Sequence, residues 1–140
     1  MPVVLMAETR LSVSQLFGKR FRDNVHVTEV KITNQERLMS YRLQYYHSLT
    51  VIDDPAVMDE VAEAFRKDLE DYAVEQEVTR VGEQIYSAFC QLPDNPMTGY
   101  YCYLFFKDMR LAPTGGEPKV TLIYMVGQAD IPFLRSKFFR

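Results

Sequence analysis

The chain has 140 residues, of which 47% are hydrophobic and 25% charged, with a formal net charge of −3. That length and balance suit one globular domain able to bury a core without disulfides or a metal, and they exclude intrinsic disorder. No apolar run reaches the roughly 18 residues of a membrane span, and Met1–Met6 is too short and lacks the basic flank of a signal peptide.

A cytoplasmic, reducing setting is therefore expected. Cys90 and Cys102 fit it, being too few for a disulfide scaffold and lacking zinc-site spacing. Charge is uneven along the chain. Residues 1–52 carry seven basic against four acidic side chains, residues 53–80 three against ten, and residues 81–140 six against five. The acidic middle repels a phosphate backbone, so nucleic acid is disfavoured and would have to use the N-terminal third or the C-terminal tail. No repeat, low-complexity tract or Gly/Ser-rich linker divides the chain, which predicts one domain over residues 1–140.

Ser12 and Gln15 have the spacing of a capping box, and Val13, Leu16, Phe17 and Phe21 recur at helical spacing, which predicts a short helix ending at Arg22. Val25 to Ile32 is rich in β-branched residues and predicts a strand with Val25 and Val27 on one face and Val30 and Ile32 on the other. Residues 35–49 admit two readings. Met39, Tyr41, Leu43 and Tyr45 alternate as in a strand, whereas Thr33 and Glu36 have the spacing to cap a helix. The strand reading is preferred; a turn at residues 34–36 then sets Val27 opposite Leu43 and Val25 opposite Tyr45.

Asp53-Asp54-Pro55 opens a long helix, with Asp54 as cap and Pro55 in the first turn. Its apolar stripe is Val57, Met58, Val61, Ala62, Phe65, Leu69, Tyr72 and Ala73, and its acidic residues are expected to face water. From Gln84 the apolar period becomes two, broken by turn-rich segments at 93–99 and 112–118, which predicts a three-stranded meander. Turns centred on Pro96 and Gly115 pair Cys90 with Cys102, Ala88 with Leu104, Tyr86 with Phe106, Phe106 with Tyr124 and Leu104 with Val126. Asp130-Ile131-Pro132 then starts a basic, aromatic terminal helix. The fold class is α+β, an antiparallel sheet in the order α-β-β-α-β-β-β-α with the long acidic helix packed on the meander. This order is similar to that of roadblock-type and longin-type adaptors, a likeness of element pattern that carries no function with it.

The meander is apolar on both faces. Its even-numbered face receives the long helix, while Phe89, Tyr101, Tyr103, Phe105, Ile123 and Met125 collect on the other, where a half-solvated sheet would be polar. Either the two short helices of the chain cover that face or a second protein does, and tyrosine and methionine are enriched in interface cores. The tail residues Arg135, Lys137 and Phe138 add a surface suited to an acidic partner, a membrane surface or single-stranded nucleic acid, or else dock as a terminal helix.

Chemistry is sparse. His26 and His47 lie in no nucleophile elbow or metal-binding helix, and His47-Ser48 near Asp53 and Asp54 holds the residue types of a triad without evidence of its geometry. Gly115-Gly116 lacks the lysine of a phosphate loop and reads as a turn; the carboxylates of residues 53–77 lack calcium-loop spacing. No catalytic residue, cofactor or metal is assigned. The expectation is a small protein-interaction module, an adaptor, assembly subunit or secretion-type chaperone that binds a protein partner or a second copy of itself. A small apolar-ligand binder or enzyme with a pocket between sheet and helices is the alternative, and a nucleic-acid binder a weaker one.

Overall fold

A computed structural model describes residues 11–33, 35–93 and 99–138. Six antiparallel strands form one sheet: β1 (Val27–Ile32), β2 (Leu43–Ile52), β3 (Glu75–Val81), β4 (Gln84–Leu92), β5 (Tyr101–Asp108) and β6 (Lys119–Gly127), in the spatial order β1-β2-β6-β5-β4-β3. The helices are α1 (Gln35–Met39), α2 (Pro55–Tyr72) and α3 (Ile131–Phe138). The α+β class and the broad order of elements are those read from the sequence. No helix among the described residues is long and apolar enough to cross a membrane.

Helix α2 starts where its punctuation places it. The Asp54 carboxylate accepts the Val57 amide hydrogen at 3.2 Å, and Pro55 needs no partner for the amide it lacks. Met58, Val61, Phe65 and Leu69 are buried along one stripe, and Phe65 stacks on Phe106 of β5 with centroids 4.8 Å apart. Each such side chain contributes about 1.5–3 kcal/mol by leaving water. Leu49, Val51, Ala88, Cys90, Leu104, Leu122 and Tyr124 complete this core on the sheet face beneath α2.

Several local readings are corrected. The first helix is only a 3-10 turn over Ser12–Leu16, and the Ser12–Gln15 capping box does not form, because Leu11 is the cap residue and Gly18 at φ 86° ends the segment. Its free amides are capped from elsewhere: Asp68 of α2, fully buried instead of solvated, accepts from Ser12 N at 2.7 Å and Val13 N at 2.9 Å.

Residues 35–49 combine both readings. Helix α1 takes up residues 35–39, Arg42 turns the chain at φ 57°, and β2 begins only at Leu43, so Val27 faces Val51 instead of Leu43. Val25, expected in the first strand, lies before β1 and is 91% exposed.

The meander has a fourth strand, β3, joined to β4 through the two-residue turn Gly82–Glu83 with Gly82 at φ 63°. Its registers also differ from expectation. Cys90 faces Leu104, Ala88 faces Phe106, Leu104 faces Tyr124 and Phe106 faces Leu122. Both slips are of two residues, which keeps every side chain on its expected face. The turn expected at Pro96 lies outside the described residues.

Candidate functional site

The second face of the sheet is where cover was in question. Cross-strand register lays out one row as Val30, Ser48, Ile123, Phe105, Phe89 and Glu77, and the next as Ile32, Tyr46, Met125, Tyr103, Gln91 and Glu75. The rows are thus apolar from β1 to β4 except for Ser48 on β2 and Gln91 on β4, and carboxylates end both rows on β3.

Helix α3 closes most of this face. Asp130 caps it by accepting from Phe133 N at 2.8 Å, and Ile131 and Leu134 pack with Ala129 and with Leu38 of α1 onto the aromatic rows. Phe89 is 3% exposed, Tyr103 and Met125 0%, Ile123 6% and Phe105 8%, while Tyr101 is partly buried against the same cluster. These residues, expected to meet a partner, are thus covered within the chain. The first turn, expected to share in this cover, packs in the core beneath α2 instead, and its place on this face is taken by α1, which supplies Leu38, a contribution absent from the strand reading of residues 35–49.

The tail cations are engaged as well. Arg135 pairs with Glu77 on β3, and Lys137 and Arg42 lie over the Phe133 ring at 5.4 and 4.2 Å. The Phe138 side chain, with residues 139–140, lies outside the described residues.

What α3 leaves open is the β1–β2 end of the same face. A cleft of about 450 Å³ lies there, lined chiefly by Val30, Ile32, Arg37, Leu38, Tyr41 and Tyr46. Val30, Ile32 and Tyr46 are presented by the strands, and Leu38 and Tyr41 by α1 and the turn after it, where Tyr41 N donates to Leu38 O at 3.0 Å. The floor is mostly apolar with Ser48 beside Val30, Arg37 supplies a cation, and the cleft borders the edge strand β1, where Val30 is exposed. Sequence reading missed this site because it placed Tyr41 in a strand; the i, i+3 spacing of Leu38 and Tyr41 was the signal available for it.

The opposite face carries a polar cluster beneath the first turn. His47 Nε2 lies 2.7 Å from a Glu29 carboxylate oxygen and Nδ1 lies 3.1 Å from the Tyr45 hydroxyl, while the Phe17 ring covers the imidazole at 4.1 Å. Glu29 also accepts from Gly18 N at 3.1 Å. His47 is 5% exposed, so this chain of groups ties β1, β2 and the first turn together under a lid that keeps a reactant away. Ser48, the next residue along β2, points to the other face, and Asp54 is occupied with the α2 cap and with Asn24 Nδ2 at 3.0 Å. The His47–Ser48–Asp54 arrangement is therefore not assembled.

Burial pushes the Cys90 thiol up to about 12, so at neutral pH it stays protonated and unreactive, and Cys102 is equally buried. Asp108 is held by Arg110, whose Nη2 reaches it at 2.8 Å and whose Nη1 reaches Asp59 at 2.8 Å, which pins the turn after β5 to α2. Among the described residues no cluster of three or more His, Cys, Asp or Glu has the arrangement of a metal site.

No curated protein and no solved structure matches this chain. A family model, described as a family of unknown function (DUF6108), matches residues 1–138, and the chain belongs to that family.

Proposed function

We propose that the chain is a protein-interaction module, an adaptor or assembly subunit in type, that receives a partner polypeptide in the cleft at the β1–β2 end of the second sheet face. The observation that carries this reading is the mismatch between a largely apolar sheet face and a cover, α3 with Leu38, that leaves Ile32 and Tyr46 only partly buried and Val30 exposed. An extended segment with apolar side chains fits the floor, and a carboxylate on it fits Arg37. The cleft volume falls within the range of small-molecule sites, which supports an apolar ligand as the second reading; its place beside the edge strand β1 favours an occupant that extends beyond it. Nucleic acid fits less well, since Arg135 and Lys137 already serve contacts within the chain. The two buried thiols, neither of them in a disulfide, suit a reducing, cytoplasmic setting.

Photo-crosslinking tests the reading. A benzophenone amino acid placed at Tyr41, in the cleft, is expected to give a covalent adduct with a distinct protein in the native cell, and the same group at the exposed Lys67 on α2 is not. Adducts of equal yield from both positions, or none from Tyr41, would overturn it.

A further inference from the structure

A sheet with two open edges exposes two rows of backbone groups, and proteins normally guard such edges with charge, bulges or cover. The β3 edge is guarded. Glu75, Glu77 and Arg80 stud it, its pairing with β4 is irregular between Thr79 and Arg80, and Arg135 of α3 reaches over to Glu77. Strand β1 is regular through its whole register with β2, contains no proline, and leaves Thr28 to Lys31 exposed, Val30 by 42%.

The direction of its backbone follows from one bond. Ile52 N donates to His26 O at 2.9 Å, so the even-numbered residues of this segment turn their amide and carbonyl groups toward β2, and Glu29 and Lys31 turn theirs outward.

We propose that β1 is a homodimer edge: a second copy of the chain pairs antiparallel with it about a two-fold axis at Val30, joining two six-stranded sheets into one. This rests on the reading of the chain as an interaction module and names its partner at the edge beside the cleft. Such an axis normal to the sheet sets residues of the same face opposite each other. With the axis at Val30, Glu29 faces Lys31 of the second copy, and Lys31 faces that copy's Glu29. Both are outward-directed residues, so each pair exchanges two backbone hydrogen bonds. Val30 meets its own counterpart in the closer, non-hydrogen-bonded arrangement, with Thr28 opposite Ile32 on either side.

The charges select this register. Moving the axis to Glu29 opposes two carboxylates, and moving it to Lys31 opposes two ammonium groups, whereas the Val30 axis makes two opposite-charge pairs. The Glu29 carboxylate keeps lone pairs for this after serving His47 and Gly18 N. The clefts of the two copies then flank the Val30 pair on one continuous face.

The test is solution mass by light scattering on a dilution series, with variants at exposed β1 positions. The wild type is expected at twice the 16.3 kDa chain mass. Lys31→Glu turns both favourable pairs into carboxylate pairs and should raise the dimer dissociation constant about tenfold with an unchanged circular dichroism spectrum. Val30→Cys should form an interchain disulfide on mild oxidation, faster than Thr28→Cys, because only position 30 meets itself; the native cysteines are buried and do not compete. A monomeric wild type, a dimer indifferent to Lys31→Glu, or equal crosslinking at positions 28 and 30 would overturn the proposal. A monomer that still gives a foreign adduct from Tyr41 would remove the dimer and retain the interaction reading, whereas loss of that adduct as well would remove both.

Discussion

Asp68 shows how far a single side chain can depart from what its neighbours in sequence suggest. It sits among Lys67, Glu70 and Asp71 in a stretch that reads as a solvated helix face, yet it is buried and holds the amides of Ser12 and Val13. Replacing it with alanine strands those two donors, and the expected loss is about 1–3 kcal/mol by urea denaturation. Burial pushes this carboxyl above its ordinary value of 3.8, against the amide bonds that pull it down. Between the ordinary and the raised value the folded chain therefore keeps a proton that the unfolded chain has released, so this group's contribution is fully present below the ordinary value and falls as pH rises through the raised one. The gap between wild type and Asp68→Ala should accordingly be wider at about pH 4 than at neutral pH. A gap that widens toward neutrality would contradict the assignment. Nothing in the local spacing at residues 12–15 reveals this bond, because its acceptor lies on another element.

The elements that were legible are those whose signals are local. Asp54-Pro55 and the stripe from Met58 to Leu69 specify α2, and Asp130 specifies the start of α3. Strand β3 was hidden by the property that suits it to an edge, since Glu75, Gln76, Glu77, Thr79 and Arg80 mask the apolar alternation a central strand shows. The faces of the meander survived a register error because a slip of two preserves parity, while the pairing partners themselves depend on turn geometry that composition does not fix. For the candidate site, Val30 and Ile32 were placed together on the face opposite Val27, but their continuity with the aromatic rows was not read, and the cleft needs α1, which the alternation of Met39 and Tyr41 obscured. The role of α3 can be tested directly. Leu134→Asp puts a carboxylate into the cluster with Tyr103 and Met125, and should cost about 3 kcal/mol or more while exposing apolar surface, read as increased binding of a hydrophobic dye. A variant as stable and as dye-silent as wild type would mean that α3 is not the cover of this face.

At the scale of the molecule the two faces differ in kind. Beneath α2 one long helix seals a conventional core, and on the other face two short helices seal aromatic rows and leave their β1–β2 end open. The basic N-terminal third is shared between the two faces: Arg20 pairs with Glu60 on the acidic side of α2, and Arg37 lies at the cleft. Which chain covers the aromatic rows was undecidable from the sequence, because it depends on how much area α1 and α3 span together.

The position of β6 has a consequence for how the chain is made. The last strand in sequence is inserted between β2 and β5, so the hairpin of β1 and β2 and the meander of β3 to β5 have no common strand until residues 119–127 exist. During synthesis the ribosome must release nearly the whole described chain before the sheet can close, and the pairing of β2 with β6 spans a long loop whose closure slows folding. Nascent chains arrested before residue 119 should be digested by protease at rates typical of unfolded polypeptide, and those extended past residue 138 clear of the exit tunnel should become resistant in a single step. Gradual protection with length would instead mean that one half folds alone, leaving β6 to join a structure already in place.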